Sequence, residues 1–295
     1  MIKDKFYWIE TNGGHCPVYT LFPTPSSPAV IFCHDYKGSS QEENRFFWKL
    51  SRILYKKGIG SVRFDYNGFG NSTGDSTVFT IESGLKDTVA IFHQVASLPG
   101  VDASKLAILG LGMGGRMAAY LLGNTSDLKA GILLNPANTH FKSDEELEEL
   151  EFGYEGNTTW DKGWEFTKEF FDIDNFGEGA NEIANADVPV LVVTGYDDEF
   201  ISHNTSESYL ESLPLIQYEE IMGADHLFSS PEAGKEVADI IIKFLNKALL
   251  DLEDPEEESE PLEELEVSTA PPLAEMIKNT ETAEEENAKE KSDKE

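Results

Sequence analysis

The chain has 295 residues, 40% of them hydrophobic, which is enough to bury the core of one large α/β domain or two small ones. Its formal charge is -32, and residues 251–295 alone hold 18 acids against 4 lysines. Both the tail and the remainder therefore repel nucleic acid and anionic membrane surfaces, and neither is expected as a partner. No run reaches the roughly 18 apolar residues that a membrane span needs, and "MIKDKFYWIETNGG" lacks the apolar core of a signal peptide. A cytoplasmic protein is the expectation. Cys16 and Cys33 are too few for a disulfide framework, and Cys33 sits in an apolar run where a buried thiol is expected.

In chain order, "FYWIE" and "CPVYTLFP" come first, with no helix between them, and read as an antiparallel edge. Short apolar runs then alternate with helical patterns. "AVIFCH", "GSVRFDY", "LAILG", "GILLNP", "VPVLVVTG" and "IQYEEIMG" are β-branched or aromatic and stop at Gly, Pro or Asp, as buried strands do. Between them "EENRFFWKLSRILYKKG", "TIESGLKDTVAIFHQVAS", "RMAAYLLG" and "SESYLESL" space their apolar residues by three and four, and "EAGKEVADIIIKFLNKALLDL" closes the series. This alternation predicts an α/β fold, a mostly parallel sheet with helices on both faces, over residues 1–252.

Two segments break the pattern. Residues 137–186 are too long for an ordinary connection, and Trp160, Trp164, Phe170 and Phe171 fall near helical spacing. They read either as a helical excursion packed on the main body or as a short lid over a pocket. Residues 253–295 contain no aromatic side chain and are expected to be a disordered acidic tail. "PLEELEVSTAPPLAEMI" is its one plausible patch for a protein partner.

"LAILGLGMGGR", residues 106–116, carries the chemistry. Gly110, Gly112 and Gly115 match a dinucleotide loop, G-x-G-x-x-G. Such a unit wants an acid about 20 positions on, at the end of the next strand, and "GILLNP" ends there in Asn135 and Pro136 instead. Gly110, Gly112 and Gly114 match a nucleophile elbow, G-x-S-x-G, with Gly112 in place of serine. The elbow makes further demands that the dinucleotide loop does not: an acid after a later strand and a histidine after the last. "GYDDEFIS" and "GADHLF" supply them.

With "FCHDYKGS" at 32–39 and "RFDYNGFGNSTG" at 63–74, these motifs resemble the α/β-hydrolase superfamily over about residues 5–250. Within it the chain is similar to single-domain acyl esterases, the cinnamoyl (feruloyl) esterases and the serine aminopeptidase-like group. The resemblance implies Asp198 as the triad acid, with Asp197 as fallback, and His226 as the general base. It implies the backbone N–H groups of Tyr36 and Met113 as the oxyanion hole, and a structural role for Asp65 and Asn67. No cofactor and no metal is implied; His15, His34, His93, His140 and His203 lack metal spacing and read as surface or loop residues.

The chain departs from the family pattern twice. Gly112 supplies no oxygen, so no covalent acyl intermediate can form there. Asp35 stands where the family has glycine, and its carboxylate either caps the turn that follows or points inward and opposes an oxyanion. Unpartnered buried donors cost about 1–3 kcal/mol each, so a water, an anion or the Asp35 carboxylate itself is expected beside His226, Met113 and Tyr36. The first function this predicts is a non-catalytic or very weakly active binder of a small acyl or aromatic ligand, or of a protein partner. The alternative is an active ester hydrolase or lyase that uses the His226 and Asp198 dyad, or an esterase whose serine was exchanged artificially.

Overall fold

The computed structural model describes residues 2–11, 13–138, 158–161, 163–171, 178–213 and 216–252. The chain opens with β1 (Lys5–Thr11), β2 (Gly14–Leu21) and β3 (Ser26–Cys33), then α1 (Phe46–Lys56) and β4 (Gly60–Phe64). There follow α2 (Ile81–Val95), β5 (Gly100–Leu111), α3 (Met113–Asn124) and β6 (Leu128–Leu134). Next come β7 (Thr158–Asp161), β8 (Trp164–Thr167), α4 (Lys168–Phe171) and α5 (Gly179–Ile183). The last elements are β9 (Val190–Gly195), α6 (His203–Ser212), β10 (Ile216–Ile221) and α7 (Pro231–Leu250).

Eight strands form one sheet in the order β1-β2-β4-β3-β5-β6-β9-β10. β1 pairs antiparallel with β2, and β2 with β4; every other pairing is parallel. The parallel strands are apolar throughout because the sheet is covered on both faces, and the two-residue period sorts their side chains. Ala29, Ile31, Val62, Phe64, Ile108, Val190 and Val192 enter one core with α2 and α3. Val30, Phe32, Ala107, Leu109, Leu191 and Val193 enter the other with α1 and α7.

Helix spacing completes each layer. α7 presents Val237, Ile241 and Leu245, one turn apart and all fully buried, while Ser230 caps its first turn through the Ala233 N–H. At about 1.5–3 kcal/mol per buried aliphatic side chain, against about 1 kcal/mol for the cap, packing rather than capping holds this helix on the sheet. α2 starts at a capping box formed by Thr80 and Ser83. Among the described residues no helix is long and apolar enough to cross a membrane. These elements all lie in the unit Met1–Asp254; the acidic tail, 253–295, is outside the described residues.

The insertion differs from the helical excursion that the spacing of its aromatics suggests. Trp160 and Trp164 lie on an antiparallel hairpin, β7 with β8, in which Trp160 faces Glu165 and Asp161 faces Trp164. Gly163, at φ 89°, makes the turn between them. Only Lys168–Phe171 and Gly179–Ile183 are helical among its described residues. Phe166 of β8 and Phe170 of α4 are fully buried and pack on the main body, whereas Trp160 of β7 is exposed. The acidic half of the insertion lies outside the described residues. Because β3, β5, β6, β9 and β10 run parallel, the loops that follow them all emerge at one edge of the sheet.

Candidate functional site

Gly112 stands alone between the end of β5 and the first residue of α3, with φ 53° and ψ -115°. This is left-handed backbone, which glycine adopts without penalty. Its carbonyl accepts from the N–H groups of Gly115 and Ala137, and its own N–H donates to Leu134, so the turn is pinned to β6. A Cβ built on Gly112 would lie 2.0 Å from Asp35 Oδ1 and 2.4 Å from its Cγ. The volume a side chain would take here belongs to the Asp35 carboxylate. A Cβ on Gly114 would meet the Cys33 carbonyl oxygen at 2.0 Å, so the first turn of α3 rests directly on the end of β3. A Cβ on Gly110 would likewise meet the Gly114 carbonyl oxygen at 2.0 Å, so close packing of β3, β5 and α3 requires glycine at both positions.

Asp35 points inward. Its Oδ1 accepts from the Met113 N–H at 2.7 Å, at the positive end of α3, and its Oδ2 meets His226 Nε2 at 2.9 Å. The other ring nitrogen, Nδ1, meets Asp198 Oδ2 at 2.6 Å. His226 is 6% exposed and lies between two carboxylates. Burial alone pushes its pKa down, but the hydrogen bonds and charges of Asp198 and Asp35 outweigh burial and hold it up at about 10. Both ring nitrogens donate, and the ring is an imidazolium. A histidine in that state holds a charge but cannot take a proton.

The acid half is tightly built. Asp198 follows β9, and its Oδ1 accepts from the N–H groups of Phe200 and Ile201 at 2.7 and 2.9 Å, which fixes the carboxylate for His226. Asp198 rather than Asp197 therefore meets the ring. Asn135, just after β6 at φ 40°, donates to the His226 carbonyl and accepts from the Gly195 N–H, both at 2.8 Å. One buried amide thus joins the loop carrying the histidine to the end of the strand that carries the acid.

The loop after β3 is held from beneath. His34, expected on the surface or in a loop, lies in this loop and is fully buried: its Nδ1 donates to the Asp35 carbonyl and its Nε2 accepts from the Tyr66 N–H. Those bonds define a neutral ring, and burial lowers its pKa. The Asp35 N–H donates to Glu42 Oε2 at 2.9 Å, and burial together with the Asp35 charge pushes the Glu42 carboxyl up to about 8. Asp65 accepts from the Ser40 and Asn71 N–H groups, and Asn67 donates to Asp87, so both brace the neighbouring loops. The Tyr36 ring stacks on Phe170 at 5.2 Å, its hydroxyl donates to Asp161 at 2.8 Å, and Lys37 pairs with the same carboxylate. Asp161 of the β7–β8 hairpin thereby ties the insertion to this loop.

Above the site opens a cavity of about 700 Å³, with Asp35 and His226 at its base and Tyr36, Trp164 and Phe200 on its walls. Gly70 and Trp164 also border a second cavity of about 370 Å³ beside the glycine-rich loop after β4. Among the described residues no group of three His, Cys, Asp or Glu side chains is placed to hold a metal ion.

The model of the prolyl oligopeptidase family matches residues 81–251, more than half of the chain. The chain belongs to the prolyl oligopeptidase family. Among curated proteins it is similar to the alpha/beta hydrolase domain-containing protein WAV2 of Arabidopsis thaliana, 24% identical over 203 residues, 66% of this chain and 61% of that one. The chain thus spans under two thirds of the length of that relative. Among solved structures it is similar to Est1E of Butyrivibrio proteoclasticus with ferulic acid bound, at TM-score 0.72 and 19% identity, covering 83% of this chain and 99% of the other. It is also similar to the alpha/beta hydrolase GrgF of Penicillium sp. sh18, at TM-score 0.70 and 13% identity, covering 84% and 100%. These likenesses show the α/β-hydrolase fold.

The span matched by the prolyl oligopeptidase family holds Gly112, Asp198 and His226, but not the loop with Asp35. The residues that the sequence does not flag as part of the site are those acting from the side: His34, Glu42, Asn135 and Asp161. Asn135 carries the one usable signal, an asparagine at a strand end before proline.

Proposed function

We propose that this member of the prolyl oligopeptidase family is an α/β-hydrolase-fold protein of the esterase type in which Gly112 replaces the nucleophile, and that it binds a small ligand without forming an acyl intermediate. One observation carries the reading: the Asp35 carboxylate fills the space of the missing side chain and takes both the Met113 N–H and His226 Nε2. A substrate carbonyl arriving there meets a carboxylate, and Coulomb repulsion disfavours the oxyanion that acyl transfer must build. The imidazolium state of His226 points the same way, since a general base at neutral pH must be unprotonated. The cavity above the site has the volume of a small-molecule pocket.

The retained Asp198 and His226 bond favours a second reading, in which the dyad activates water; enzymes stripped of triad members keep about 10³- to 10⁴-fold catalysis over water. A panel of short-chain and hydroxycinnamoyl esters separates the two. The unaltered chain and Gly112→Ser are expected to be inert, and Gly112→Ser combined with Asp35→Gly is expected to hydrolyse esters. Turnover by the unaltered chain that collapses in His226→Ala overturns the binder reading. A protein partner for the acidic tail is a separate part of the proposal, and loss of capture on removing residues 253–295 tests it.

A further inference from the structure

The charges around the large cavity do not balance. Its two cationic lining residues, Lys37 and His226, are each engaged by carboxylates: Lys37 by Asp161, and His226 by Asp35 and Asp198. Glu42 and Glu43 also line it. Glu42 is 6% exposed, and its side chain lies against Gly38, where a Cβ would fall 2.1 Å from Oε1. Only a residue without a side chain lets this carboxyl reach the cavity floor. Oε2 accepts from the Asp35 N–H, whereas no donor among the described residues meets Oε1. Oε1 is thereby left open to solvent or to a guest in the cavity.

The walls fit the same kind of guest. The rings of Trp164 and Phe200 border the space, and aromatic faces attract cations, most strongly when water is excluded; the Tyr36 ring already carries Lys37 Nζ, 4.3 Å from its centroid, and stacks on Phe170. An anion has the opposite fate. Its natural seat, the Met113 N–H and His226 Nε2, is already occupied by Asp35.

We propose that the cavity takes an organic cation, an ammonium or quaternary ammonium group on an apolar body, with its charge seated between the Glu42 carboxyl and the aromatic walls. The inference rests on the reading of this site as a binding site. Glu42 faces Asp35, Glu43 and His226, and its carboxyl, raised to about 8, is largely protonated at pH 7. A bound cation favours the ionised form, so binding at pH 7 releases a proton and strengthens as pH rises toward 9.

The test is calorimetry on the full chain with benzyltrimethylammonium, and with ferulate as the anionic probe, from pH 6.5 to 9. The cation is expected to bind about tenfold more tightly at pH 9 than at pH 6.5. Its heat at pH 7 should differ between phosphate and Tris in proportion to the proton released. Glu42→Gln should match the unaltered chain at pH 6.5 and lose the tightening at pH 9. If Glu42→Gln does not fold, the two-buffer comparison on the unaltered chain decides alone. Ferulate binding without cation binding overturns the inference and leaves the binder reading standing, as does cation binding with neither proton release nor pH dependence. Ester turnover by the unaltered chain overturns the binder reading, and the cation titration is scored independently of it.

Discussion

The two sides of His226 were assembled differently. On the Nδ1 side, the Asp198 side chain is wholly buried and bonded to two backbone N–H groups, and Asn135 ties the His226 loop to the end of β9. On the Nε2 side, Asp35 is partly open to the cavity, and it accepts from the Met113 N–H in the space that the missing side chain of Gly112 leaves. One side is a bracket made by the sheet. The other is an exchange across 78 positions of sequence, in which a carboxylate from the β3 loop reaches the N–H at the head of α3. The Nδ1 side of the histidine is therefore set by the sheet, while its Nε2 side is set by a fixed ion pair with Asp35.

The largest effect should come from the bracket. Asp198→Ala leaves the His226 charge with one partner and orphans the Phe200 and Ile201 N–H groups. Losing one partner of a buried ion pair costs about 3–5 kcal/mol, and a drop of that size in chemical-denaturation stability is expected. An equal or larger loss in Asp35→Ala would break the contrast between the two sides.

Gly112→Ser comes next. Its Cβ collides with Asp35, and overpacking of this kind costs about 1–3 kcal/mol. Asp35→Gly in the same chain removes the obstacle, so the double variant should be more stable than the sum of the two single losses predicts. Strict additivity in that cycle would mean that the two positions do not compete for one space.

The pH response sharpens the comparison further. His226 has a folded pKa of about 10 against about 6.5 for a free histidine, so its contribution is full below about 6.5 and is lost as pH rises through 10. Glu42, raised to about 8, acts in the same direction, because the folded state holds its proton more tightly than the unfolded chain does. The melting temperature should therefore fall between pH 7 and 10. Asp35→Asn removes a carboxylate that raises both groups and should flatten that fall. A steeper decline would assign the effect elsewhere.

Tyr36→Phe is the mildest change. It deletes the hydroxyl bond to Asp161 but leaves Lys37 on the same carboxylate and the ring on Phe170, and it should cost about 1 kcal/mol of stability. A loss above that in a thermal melt would show that the hydroxyl, rather than the ring, holds the insertion to the loop.

Local chemistry decided what could be read from sequence. The parallel strands are legible because burial on both faces makes them uniformly apolar, and the acid and histidine because each follows a strand in chain order with a glycine before it. The β7–β8 hairpin was misread because Trp160, Trp164 and Phe170 fit a helical spacing as well as they fit a turn at Gly163. Asp35 could be placed near the site but not aimed, since its direction depends on the empty side of Gly112. His34 and Glu42 are ordinary polar residues in sequence; only burial against particular backbone groups gives them a role.

The contact between position 112 and Asp35 has a consequence for descent as well as for chemistry. A lineage carrying this pair reaches a hydroxyl at 112 in one step only with a loss of stability, because the new Cβ arrives 2.0 Å from the Asp35 carboxylate. Removing the carboxylate first leaves a buried imidazolium with half its counter-charge and an N–H without an acceptor. Either first step costs stability, and a loss of a few kcal/mol is a large share of a typical folding stability. The two positions are therefore coupled in descent: what one of them tolerates depends on the residue at the other.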